Sequence, residues 1–215
     1  MKIELLQGLY EKYSKLALSF DSDRPIAIKG LERRLIRVLK TVGGYGIFDC
    51  YLHRCLLWQR SVDSASLKRI QSFRGEPIPS WSWMAYCGGI KYMDVPFGKI
   101  SWSENITSPF KISPADRNGE EGTMPLEMHA QAWDIFEPQN HFILDEPGRT
   151  LTEPLKCVVI GVNAQMGQGP DQMYYTLIIS EMRGAKAGVY ERVGVGFLER
   201  QQIELDRPST MVHIR

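Results

Sequence analysis

Four histidines and four cysteines carry the most chemistry in this chain, and their spacing predicts little of it. His53, His129, His141 and His213 fall on separate segments, with no His-x-x-x-His pair. Cys50, Cys55, Cys87 and Cys157 form no Cys-x-x-Cys pair, so ligand spacing predicts no metal centre. Cys50 and Cys55 read as packing residues of a helix. No Gly-x-Ser-x-Gly elbow is present to raise a serine nucleophile. "VGGYGIF" and "GQGPDQ" are glycine-rich, but neither follows a strand and opens a helix as a phosphate cradle must. No flavin, haem or nicotinamide signature occurs, and no cofactor is expected.

The aromatic residues remain. Trp81, Trp83, Tyr92, Trp102, Trp133 and Tyr174 lie among the strand-like segments, interleaved with the polar groups His129, Gln131, Tyr175 and Tyr190. Two readings stand. Large aromatics favour strands and fill cores for their own sake. Alternatively, apolar walls with a few directed polar groups are how small-molecule pockets are built. On that reading the six aromatics bind a hydrophobic substrate, and His129, Gln131, Tyr175 or Tyr190 donates a hydrogen bond to it. Such a site needs no nucleophile: holding two reacting groups in near-attack geometry lowers the entropic barrier, and a donor to a carbonyl stabilises developing charge.

The elements that must position these groups change character along the chain. In residues 1–76 the period is helical. Ile3, Leu6, Leu9, Tyr10, Tyr13 and Leu16 recur at three- and four-residue steps and predict one apolar stripe. Pro25 suits the first turn of a second helix, which uses Ile28, Leu31, Leu35, Val38 and Leu39 and stops at Gly43-Gly44. "IFDCYLHRCLLWQR" predicts a third, with Asp49 and Arg60 matching its dipole.

From residue 77 to 215 the period becomes two. "IPSWSWMAYC" predicts a strand with Trp81, Trp83, Ala85 and Cys87 on one face. "LEMHAQAWDIF" sets His129, Gln131 and Trp133 on one face; "MYYTLIIS" does the same with Tyr174, Thr176 and Ile178. "LKCVVIGVNA" is an apolar run of a strand covered on both sides. "GVYERVGVGFLE" alternates Val189, Val193, Val195 and Phe197 against Gly194 and Gly196, whose bare backbone permits curvature or close approach. Six to eight strands without intervening helices predict an α+β fold: N-terminal helices packed on an antiparallel β-barrel or strongly curved β-sandwich, as one compact domain. Residues 104–125 read as a mobile loop.

Composition bounds the partners. Hydrophobic content of 43% and charged content of 24% belong to an ordinary globular protein. A net charge of +1 argues against nucleic acid; Arg33, Arg34, Arg37 and Lys40 read as a solvated basic helix face. No run reaches the roughly 18 apolar residues of a membrane span. The N-terminus carries Glu4 and Glu11 and lacks a small-residue cleavage site, so it is not read as a secretory signal. Scattered cysteines fit reduced thiols in the cytoplasm.

Several segments together resemble a family. "YSKLALSFDSDRPIAIKGL", "LLWQR" followed by "PSWSWMAYCGGIKY", and "YERVGVGFLE" are similar to motifs downstream of the heterokaryon incompatibility (HET) domain of fungal proteins, in the same order. Pro25 stands where the family usually has Leu, and the HET domain that precedes these motifs is not expected in this chain. The resemblance implies a fungal, intracellular protein. With the aromatic strands, it suggests a cofactor-independent enzyme of fungal specialised metabolism, a cyclase or Diels–Alderase-type pericyclic catalyst. The alternative is a non-enzymatic recognition or regulatory module related to incompatibility, with the basic helix face and exposed hydrophobics as its interface.

Overall fold

The structure is a computed structural model describing residues 2–16, 24–62, 67–70, 77–111, 126–136, 142–151, 153–165 and 169–215, with residues 24, 25 and 27 described by backbone alone. Helix α1 spans Lys2–Ser14, with Glu4 in its first turn and Lys12 in its last, both favourable to the dipole. Its buried line is Ile3, Leu6, Tyr10 and Ser14. Leu9 and Leu16, expected in the stripe, are instead exposed together with Leu5. The reason is polar: α1 is seated by Glu11 and Ser14, whose side-chain oxygens accept the backbone N–H groups of Tyr92 and Ile90 at 2.8 and 2.9 Å. That contact turns the Leu5–Leu9 edge to solvent.

Helix α2 spans Arg24–Leu39. Ile28 is buried, and Leu31, Leu35 and Leu39 pack against the core, but Val38 is 63% exposed rather than part of the buried face. Strands β1 (Gly43–Gly44) and β2 (Ile47–Phe48) then form a hairpin across Tyr45 and Gly46, both at positive φ (54° and 76°). The predicted third helix survives only as α3, Leu52–Leu56, after a 3-10 turn at Asp49–Tyr51. Its two ends are strands because each finds a partner elsewhere: Ile47–Phe48 pairs with β1, and Trp58–Arg60 (β3) pairs with a strand far along the chain.

Strand β4 is Lys68–Arg69, β5 Tyr86–Cys87, β6 Ile90–Tyr92, β7 Ile100–Trp102 and β8 Ile106–Thr107. Strand β3 pairs with β6, and β4 with β5. The strand expected through Trp81 and Trp83 is not formed. Trp83–Ala85 is a 3-10 turn, because the Ser82 hydroxyl donates to the Tyr45 carbonyl (2.7 Å) and accepts the Met84 N–H (3.0 Å). Within the expected mobile loop, residues 104–111 hold β8 and a 3-10 turn at Pro109–Lys111; residues 112–125 lie outside the described residues.

The remaining strands are β9 (Met128–Asp134), β10 (Phe142–Leu144), β11 (Leu155–Asn163), β12 (Met173–Glu181), β13 (Val189–Glu199) and β14 (Thr210–Ile214). Strands β9, β11, β12, β13 and β14 close into a five-stranded barrel, so the expected helices-then-barrel architecture is the observed one. Every barrel pair is antiparallel except β13 with β14. Strands β7, β8 and β10 extend the rims by pairing with β11, β9 and β13.

The registers divide the barrel strands into two faces. One carries Met128, Ala130, Leu177, Ile179, Val195 and Val212 into a core shared with α1, α2, Trp58, Trp81 and Trp83. The other carries Cys157, Ile178 and Leu198 into a smaller cluster with Ile203, where Trp133, Phe142 and Tyr174 also pack. Strand β13 changes face midway. Ile178 opposes Gly194 while Ile179 opposes Arg192, which leaves Val193 as an extra residue. Val193 therefore joins the smaller cluster, not the side of Val195 and Phe197 that uniform alternation predicts. Gly194 does permit a close approach: a Cβ there would meet the Ile143 carbonyl of β10.

Candidate functional site

The four polar groups nominated as donors are divided between the two faces. His129 and Gln131 alternate with the buried Met128, Ala130 and Ala132 on β9 and are half-buried on the opposite side. Tyr175 and Tyr190 belong to the large core, 4% and 8% exposed. Tyr175 lies tilted against Phe197, ring centroids 4.5 Å apart, and its hydroxyl donates to the Asp94 carbonyl at 3.4 Å. Burial raises the pKa of both phenols. His129 faces His213 of β14, its direct register partner, with ring centroids 4.5 Å apart.

The aromatic candidates are likewise spread. Trp81 and Trp83 are completely buried. The Trp81 indole donates to the Leu126 carbonyl (3.2 Å) and meets Tyr45 and Phe110 edge-on. Trp83 lies against Tyr10 and Tyr13 at 5.1 and 6.1 Å, which pins α1 to the molecule. Tyr92 is also core, and its hydroxyl, like the Tyr10 hydroxyl and the Trp83 indole N–H, has no hydrogen-bond partner among the described residues. Trp102 stacks on His53 (5.3 Å, 23°) and covers Gly161, where any side chain would strike the ring. His53 is held against the Ser103 carbonyl at 2.8 Å, and burial lowers its pKa. Trp133 and Tyr174 belong to the second cluster, with the Tyr174 hydroxyl donating to Gln172 at 2.8 Å. His141 lies outside the described residues.

The strongest polar constellation lies outside the residues that the sequence pattern nominates. Arg192 is completely buried in β13 and forms a bidentate pair with Asp145, Nε to Oδ2 at 3.1 Å and Nη2 to Oδ1 at 3.2 Å. Its Nη1 donates to the Leu56 carbonyl at 2.8 Å and its Nη2 to the Trp58 carbonyl. The guanidinium carbon sits 3.2 Å from the centre of the Trp58 ring. Its backbone N–H donates to Ser80 Oγ at 2.8 Å. Burial raises the Asp145 pKa against the pull of Arg192. Next to this pair, Glu191 accepts from Arg149 and lies 3.9 Å from Arg69, whose Nη1 donates to the Tyr86 hydroxyl at 3.2 Å. A signal for this network exists in the sequence: a charged pair, Glu191-Arg192, near the start of a largely apolar strand.

One described pocket, of about 150 Å³, is lined by Arg149, Thr150, Leu151 and Glu153 on one side and by Ser180, Glu181 and Arg183 on the other. It is smaller than the roughly 300–1,000 Å³ of small-molecule sites and is lined chiefly by charged side chains. Arg33, Arg34 and Arg37 on α2 and Lys40 just after it are all exposed, as the charge pattern predicts. Among the described residues, no helix is long and apolar enough to cross a membrane. Comparison with protein-family models, curated proteins and solved structures finds no match to the chain.

Proposed function

We propose that this chain is a non-enzymatic recognition module that docks an acidic protein surface on the exposed basic face of α2. The observation that carries the reading is segregation of charge. Arg33, Arg34 and Arg37 in the last turns of α2, with Lys40 just beyond it, are exposed on a molecule whose net charge is only +1. Val38 and Val42, 63% and 49% exposed, supply apolar area beside them. Basic groups around exposed aliphatic side chains suit a partner with carboxylates ringing an apolar patch, the charges setting encounter rate and specificity. The motifs similar to the segment downstream of HET domains support a role in incompatibility-related regulation.

The cyclase or Diels–Alderase reading would need one of the four nominated donors to face an enclosed apolar cavity, and none of them lines the described pocket of about 150 Å³. His129 and Gln131 lie on one face of the barrel, Tyr175 and Tyr190 on the other. Recognition is preferred on that ground.

The test is affinity capture from extracts of the source organism with wild-type bait and with R33E/R34E/R37E, each checked for native circular dichroism. Proteins retained by the wild type, released by salt and lost from the variant are expected. The purified partner should bind the variant at least tenfold more weakly. Equal binding to both baits would refute the proposal.

A further inference from the structure

Beyond that reading and independent of it, we infer that Glu127, His129 and His213 form a surface site for a divalent transition cation of the zinc class. The two imidazoles come from adjacent strands, on residues that oppose each other directly in the β9–β14 register. Their rings lie 4.5 Å apart at 63°, which leaves them free to converge on a common point rather than stack. Glu127, one residue before β9, brings its carboxylate 3.7 Å from His213 Nδ1. One ligand atom from each of the three residues lies within 4.8 Å of the other two. A tetrahedral zinc with bonds of about 2.0–2.1 Å needs ligand atoms about 3.4 Å apart, so small rotations of half-exposed side chains complete the set.

Two neutral imidazoles and one carboxylate are a donor set of borderline softness. They select zinc, cobalt, nickel or copper over magnesium and calcium, which take oxygen ligands. Three protein ligands leave at least one position to water, and the position is accessible: the Glu127 and His213 side chains are each 44% exposed. The other register partners of the two histidines, Thr107 on β8 and Val189 on β13, carry no positive charge to repel a cation. Sequence spacing could not show the site, because its ligands meet only when β14 returns beside β9.

The experiment is a titration of chelator-stripped protein with Zn²⁺ by calorimetry and with Co²⁺ by visible absorption, compared with H129A, H213A and H129A/H213A. Unchanged circular dichroism and melting of the stripped variants establish that they fold. Wild type is expected to bind one equivalent of Zn²⁺ and to show cobalt d–d bands. Each single variant should bind at least tenfold more weakly, and E127Q should weaken binding by a smaller factor. Saturating Zn²⁺ should raise the melting temperature of the wild type and leave that of the double variant unmoved. Equal affinity in wild type and double variant, or no binding by either, would overturn the inference.

Discussion

Arg192 lies beside Glu191 in a largely apolar strand, and its burial is offset by the two Asp145 oxygens, the carbonyls of Leu56 and Trp58 and the face of an indole. Such a pair need not stabilise the fold relative to apolar side chains, yet removing one member strands the other. Arg192→Met should therefore cost about 3–5 kcal/mol in chemical denaturation, because Asp145 is left buried without its partner. Adding Asp145→Leu should restore a measurable part of that loss. A double variant as unstable as the single one would show that the carbonyl contacts, not the pair, matter most. The same scale explains why the polar residues were hard to read. Gln131 and Tyr175 each sit at a plausible strand position, but which face a residue takes depends on bulges such as Val193, and these are set by neighbouring strands.

Among the strands and helices, local pattern predicts structure only where the deciding interaction is itself local. Strands β9, β11, β12 and β13 were readable because their alternation or unbroken apolar run reflects burial, which acts on every residue of the segment. The Trp81–Trp83 segment departs from its strand-like pattern because one hydroxyl, Ser82, bonds to local and distant backbone and curls the chain. The third helix is shorter than its pattern predicts because Trp58–Arg60 is claimed by β6, a partner invisible in the local pattern. The β1–β2 turn offers a direct test. Gly46 has φ of 76° and backs onto the Trp83 indole, so Gly46→Ala meets both backbone strain and collision. Its expected cost is about 2–4 kcal/mol by thermal or urea unfolding, the sum of the two effects. Gly98→Ala, at a similar φ of 69° with open space around it, should cost only the strain, about 1 kcal/mol. Equal losses would show that the contact with Trp83 contributes nothing.

For the whole molecule, the notable fact is that helices and barrel share a core. The larger cluster runs from Ile3 in α1 through Trp58, Trp81 and Trp83 to Ile214 in β14. The change of pattern near residue 77 marks a change of secondary structure, while the buried side chains continue across it. Heating should therefore give one calorimetric peak whose measured enthalpy equals the van't Hoff value. Two resolved transitions would mean that the helical segment melts by itself. The ring, for its part, is shut by two short seams. Strand β13 meets β14 at only two register pairs, Val189 with His213 and Tyr190 with Ile214. Strand β9 meets β11 at only two, Lys156 with Asp134 and Cys157 with Trp133. Unzipping either seam converts a cylinder into a curled ribbon with fresh backbone edges, the geometry from which two copies exchange a strand.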